Sequence, residues 1–136
     1  YWGMLKALLS YRMQPVRIQA GDDFDETVRV TTAAVCNGQF FGGSMHIAPG
    51  AQPDDGLFDV VVIRDLGPIE LLRKSSIIYS GAHITDPKVT VVRAGKVIVT
   101  AAPEATALVP LDVDGEAPGY LPATIEILPA AIHLRC

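Results

Sequence analysis

The chain has 136 residues, of which 49% are apolar and 19% charged, and a formal net charge of −4. That is the length of one domain, with enough apolar mass for a packed core, which excludes a disordered polymer. The acidic balance excludes a role built on neutralising phosphates, so nucleic acid is not an expected partner. No apolar run approaches the ~20 residues that a membrane-crossing helix needs. The two cysteines, Cys36 and Cys136, make neither a disulfide framework nor a zinc site, and the default is a reducing, cytoplasmic compartment. Residue 1 is Tyr and the first Met is Met4. The chain therefore reads as a piece cut from a longer polypeptide.

In chain order, residues 1–11 (YWGMLKALLSY) place Met4, Leu5, Leu8 and Leu9 at the spacing of a short amphipathic helix. Trp2 joins its apolar side, as a core or interdomain contact. Val16 and Ile18 alternate around Arg17 as in a strand, and Gly21-Asp22-Asp23 predicts a turn. Residues 24–36, with Val28, Val30 and several Thr, favour a strand. Asn37-Gly38 is a turn pair. Residues 40–55 are broken by Gly42-Gly43, Pro49-Gly50 and Pro53 and read as irregular. Residues 57–63 (LFDVVVI) form a strongly β-forming run, read as a buried strand. Gly67-Pro68 opens a second helix that fades near Gly81, with Ile69, Leu71, Leu72, Ile77 and Ile78 on its buried face. Residues 88–93 and 96–100 flank Ala94-Gly95 as a hairpin. Further short strands are expected over 108–113, 123–128 and 131–135. The result is a mainly β single domain over 1–136, a sandwich or barrel of short antiparallel strands with about two short helices.

Three constellations carry chemistry. In Asn37-Gly38-Gln39-Phe40-Phe41-Gly42-Gly43-Ser44-Met45 the glycines serve either a close approach of ligand to backbone or a tight turn between strands. The following Pro-pinned loop carries adjacent Asp54 and Asp55. Hard cations such as Mg²⁺ take carboxylate and carbonyl oxygens, which such a loop offers. The same residues equally suit a plain turn with a solvated Asp54. In Asp112-Val113-Asp114-Gly115-Glu116, alternation puts Asp112 and Asp114 on one face, and Glu116 follows the glycine. These carboxylates read as a base and its neighbours, or as a solvated hairpin tip. His46, His83 and His133 are too dispersed for a metal set. Ser75, Ser76 and Ser80 lack a nucleophile elbow. Cys36 reads as a small buried hydrophobe.

The order of these motifs, CNGQFFGGSMHIAPGAQPDDGLFDVVVI with DVDGE downstream, resembles the second domain of the diacylglycerol kinase and sphingosine kinase superfamily, its bacterial soluble lipid kinases above all. The resemblance covers nearly the whole chain. It implies a β-sandwich domain that follows an α/β domain bearing a Gly-Gly-Asp-Gly nucleotide motif, which this sequence lacks. It implies phosphorylation of a lipid hydroxyl at the interdomain cleft, with ATP as co-substrate bound mainly by that N-terminal domain of the same protein. By the same resemblance, Glu116 accepts the proton of the lipid hydroxyl. Mg²⁺ is held by Gln52 and Leu57 through backbone carbonyls and by the Asp55 carboxylate. Asn37, Gly42, Gly43 and Asp114 line the cleft. Membrane contact is expected to be peripheral, and a homo-oligomer is possible. The alternatives are a stand-alone lipid-binding or regulatory β-sandwich, and a kinase of a soluble substrate related to NAD kinase.

Overall fold

The computed structural model describes residues 13–132. The helix expected over 1–11, with Trp2, and residues 133–136 lie outside the described residues. Strand β1, Gln14–Ala20, alternates as its sequence requires, with Val16, Ile18 and Ala20 inside. A turn at 21–23 returns it into β2, Phe24–Cys36, with Ala20 opposite Phe24. Strand β3 is Phe58–Arg64, helix α1 is Pro68–Ser80, and a short 3₁₀ turn runs over Ala82–Thr85. Strands β4 (Val89–Ala94), β5 (Lys96–Ala101), β6 (Pro110–Val113), β7 (Glu116–Tyr120) and β8 (Ala123–Glu126) follow. One antiparallel sheet has the order β4-β3-β2-β1-β5-β8, and β6 with β7 forms a separate ribbon. This is the expected mainly β, sandwich-like architecture.

Two strands turn the corners of the sandwich. The first half of β2 pairs with β1 and its second half with β3. Between the halves, Val30 faces Arg64 and Thr32 faces Ile63, so Thr31 is an extra residue that bends the strand. Thr31 is 7% exposed, and its hydroxyl accepts the Leu66 N–H at 2.9 Å. The second corner overturns the hairpin expected at Ala94-Gly95. Ala94 still pairs with Phe58 of β3, whereas Val97 and Val99 pair with β1 and β8. A two-residue hairpin turn of the favoured types needs positive φ, and neither Ala94 nor Gly95 has it. Ala94, Val97 and Val99 all enter the same core, so β4 and β5 run on as one bent strand from one leaf to the other.

Strand β3 is buried on both sides, which explains its unbroken apolar run. Val60 and Val62 join Val16, Ile18, Val30 and Val97 between the leaves. Val61 and Ile63 join Ile47, Ala48, Ala51 and Leu66 on the outer side, against Ile78 of α1. Helix α1 starts with Pro at its first turn and ends at Gly81, whose φ of 75° lies in the left-handed region. Ile69, expected on the buried face, is 78% exposed. Nine positions separate it from Ile78, which is about 180° around a helix. Ile77 is half-buried; the Leu71 and Leu72 side chains are not among those described.

The strand β7 was hidden by Pro118 and Gly119. Proline is admitted there because a two-stranded ribbon has free edges. The expected strand over 131–135 is absent at Ala131 and Ile132.

Charge ties α1 to the start of β4. Lys74 Nζ lies 2.8 Å from Glu70 and 2.5 Å from Asp86, and Lys88 Nζ lies 2.7 Å from Glu70. Hydrogen bonds from Lys74 and then Lys88 hold Glu70 below the usual carboxylate range. Lys74 and the Lys88 backbone N–H do the same for Asp86. Lys74 itself is raised, by Asp86 first and Glu70 second.

Two outcomes test this scaffold. Thr31→Val leaves the Leu66 N–H buried without a partner, and should cost about 1–3 kcal/mol by chemical denaturation. The lowered Glu70 and Asp86 stabilise the fold above their unfolded values near ~4 and lose that contribution as pH falls through the folded values. Melting temperature below pH ~4 should therefore drop more steeply in the wild type than in Lys74→Met.

Candidate functional site

The connection between β2 and β3 is pinned at several points rather than free. Phe41 and Met45 exchange both backbone hydrogen bonds at 3.1 Å, enclosing Gly42, Gly43 and Ser44 at φ of 37°, 69° and 69°. Three successive left-handed residues explain the paired glycines. A Cβ on Gly42 would meet Met45 Cε at 3.1 Å. Gln39 fastens the loop from inside: its Nε2 donates to the Ala51 carbonyl at 3.2 Å, and its own carbonyl accepts the Ala48 N–H at 3.2 Å. The Gln39 side-chain oxygen lies 3.3 Å from His46 Nε2. The His46 ring stacks on Phe40 at 4.4 Å.

The helix end grips the same loop. His83 is buried, and its Nε2–H donates to the Ile47 carbonyl at 2.9 Å. A Cβ on Gly81 would lie 2.7 Å from Pro49 Cγ and 3.0 Å from His46 Nδ1. Only glycine fits this contact and this φ. His46 and His83 therefore both shape the loop.

The aspartate turn follows. The Asp55 N–H reaches the Gln52 carbonyl at 3.4 Å, and the Asp55 carboxylate accepts the Leu57 N–H at 2.9 Å. Gly56, at φ 75°, completes the turn. The other Asp55 oxygen is paired with the Arg93 guanidinium. Arg93 Nε also donates to Asp59 at 3.2 Å, whose side chain is 4% exposed. Cys36, Asp59 and Arg93 are direct partners across β2, β3 and β4. Burial first, and the Asp59 charge second, push the Cys36 thiol up to about 11. Sequence reasoning missed Asp59 and Arg93. The available signal was a charge set within an apolar β run on each of two strands.

Glu116 and Asp114 lie elsewhere on the chain path, at the tip of the β6–β7 ribbon. Val113 faces Glu116, and Asp114 (φ 51°) and Gly115 (φ 87°) form the two-residue turn. Asp112 accepts the Gly115 N–H at 2.9 Å. The shared face expected for Asp112 and Asp114 is not formed, because Asp114 is a turn residue and Asp112 caps that turn. Glu116 is exposed. Among the described residues no hydrogen bond or ion pair joins this tip to the β2–β3 loop. The structure thus groups Asn37, Gly42, Gly43, Gln52, Asp55 and Leu57 on one connection, and Asp114 with Glu116 on another. Surface concavities of ≈ 680 Å³ at Gly67–Lys74 and ≈ 420 Å³ around Gln14 and Glu104 contain none of them.

The donor set at the aspartate turn suits a hard divalent cation in kind. The Gln52 carbonyl and the Asp55 carboxylate are oxygens brought into one turn. Among the described residues no group of three His, Cys, Asp or Glu side chains could hold a metal, so any such ion would rely on backbone oxygens and water.

The sequence model of the family described as "YegS C-terminal NAD kinase beta sandwich-like domain" matches residues 1–136. The diacylglycerol kinase of Mycobacterium tuberculosis (strain CDC 1551 / Oshkosh) is 30% identical over 134 residues, 98% of this chain and 42% of that protein. The diacylglycerol kinase of Bacillus subtilis (strain 168) is 29% identical over 93 residues, 68% of this chain and 29% of that protein. A crystal structure of diacylglycerol kinases from Bacillus anthracis str. Sterne superposes with a TM-score of 0.63 at 20% identity, over 91% of this chain and 43% of that one. That likeness establishes a shared fold. The chain spans less than half the length of these relatives.

The raised thiol has a direct readout. In a Cys136→Ser background at pH 8, Cys36 should react with a thiol reagent about two orders of magnitude more slowly in the native chain than in denaturant, since the thiolate is the nucleophile. Equal rates would show that Cys36 is neither buried nor beside Asp59.

Proposed function

This chain belongs to the YegS C-terminal NAD kinase β-sandwich-like family, and from that premise we propose that it is the C-terminal half of an ATP-dependent lipid kinase of the diacylglycerol kinase type. The observation that carries the reading is similarity to a diacylglycerol kinase over 98% of the chain. In this proposal the lipid hydroxyl is phosphorylated in a cleft between this sandwich and an N-terminal domain that holds most of the ATP.

Phosphoryl transfer needs in-line positioning, charge neutralisation and a group that takes the nucleophile's proton. Glu116 is the proposed proton acceptor. The two-residue turn places its carboxylate on a defined strand end, exposed and facing outward. Asp114 sits beside it in the turn. The pinned loop carrying Asn37, Gly42 and Gly43 would line the same side of the cleft, opposite the N-terminal domain. Gln52 and Leu57 through backbone carbonyls, and Asp55 through its carboxylate, would hold Mg²⁺. The exposed Phe40 and Phe41, 59% and 46% accessible, support a peripheral contact with the membrane that holds the substrate, on the cytoplasmic side. No helix among the described residues is long and apolar enough to cross a membrane. Self-association through exposed apolar side chains belongs to the same proposal.

In the two-domain protein, Glu116→Gln should lower lipid phosphorylation by about 10²–10⁴-fold while leaving the melting temperature unchanged. Wild-type turnover with diacylglycerol in that variant would remove Glu116 from the mechanism. Turnover only with a soluble acceptor in the wild type would replace the lipid reading with an NAD kinase-like one.

A further inference from the structure

Arg93 joins two carboxylates that belong to different layers of the site. Asp59 is fixed in β3 with its side chain 4% exposed. A buried carboxylate needs a partner, and removing that partner leaves an uncompensated charge. Asp55 lies in the turn, with one oxygen already committed to the Leu57 N–H. The planar guanidinium presents several donors in a rigid fork, so Nε serves Asp59 and Nη2 serves Asp55 together. Strand register sets this up, because Arg93 stands directly opposite Asp59. The Arg93 side chain is 48% exposed and that of Asp55 19%, so the Asp55 end of the bridge is the one that solvent ions reach.

We propose that Arg93 is the positioning residue that closes the aspartate turn onto the sheet, and that it makes this closure independent of divalent cations by competing with them for Asp55. A cation on Asp55 would stand beside a fixed positive charge, and like charges at such separations repel. The turn then stays closed without metal, and a cation gains a full share of Asp55 only when the guanidinium is removed. This inference deepens the metal part of the proposed function and does not depend on the role of Glu116.

The test is the thermal unfolding of the 136-residue chain in EDTA and in rising millimolar Mg²⁺. The wild type should melt at nearly the same temperature in both. Arg93→Met should melt several degrees lower in EDTA and recover the part of that loss that belongs to the Asp55 turn as Mg²⁺ is added, while the part due to Asp59 remains. The double variant Asp55→Asn, Arg93→Met should not recover. Arg93→Lys, which keeps one charge but loses the fork, should melt between the two and show a smaller Mg²⁺ gain than Arg93→Met. If Arg93→Met does not fold, Arg93→Lys carries the test, and its Mg²⁺ gain must exceed that of the wild type. Stabilisation of the wild type by Mg²⁺ equal to that of the Arg93 variants would overturn the competition. An Arg93→Met chain that melts like wild type in EDTA would overturn the closure. Neither result bears on lipid phosphorylation, whose failure would show in the Glu116 assay instead.

Discussion

Strand β3 has no solvent face, and the geometry of the candidate site follows from that. Val60 and Val62 are covered by the opposite leaf, while Val61 and Ile63 need a second cover. Helix α1 supplies part of it through Ile78. The rest comes from Ile47, Ala48 and Ala51, which belong to the very connection that carries the glycines and the aspartates. Burying an Ile or Val side chain contributes about 1.5–3 kcal/mol. A loop that places three apolar residues under β3 is therefore anchored by the core. Its polar work is left to short spans between anchors: the Phe41–Met45 turn on one side and the Gln52–Leu57 turn on the other. Gln39 and His83 then satisfy the backbone groups that such burial would orphan.

Much of this was legible because several signals are local. The alternation at Val16 and Ile18, the Thr- and Val-rich run into Cys36 and the apolar run before Arg64 each name a strand without help from the rest of the chain. Asp114-Gly115 names its turn because both residues tolerate positive φ. Gly81 ends its helix for the same reason. The order of motifs pointed to the family that the comparisons then established.

What stayed hidden depends on partners distant in sequence. Ala94-Gly95 has the composition of a turn, yet the chain bends on into the other leaf without reversing, because Ala94 and Val97 are needed in one core. Ile69 carries the helix period in sequence but falls on the side away from Ile78. Asp59 and Arg93 stand 34 residues apart, so nothing local marks them as a pair. Asp112 and Asp114 alternate on paper, but a register irregularity between Leu111 and Val113 and the turn at Asp114 separate them.

The pairing of β1 with β5 joins Val16 to Ala101. The pairings of β1 with β2, β2 with β3 and β3 with β4 can form while the chain is still short, but this seam requires two ends of a long segment to meet. Closing it carries the loop entropy of everything between, and topologies dominated by such distant pairings assemble in milliseconds to seconds rather than microseconds. During that interval Val16, Ile18 and Val30 lack the cover that Val97 and Val99 give them, which makes the open seam the moment at which this sandwich is most exposed to sticking to its neighbours.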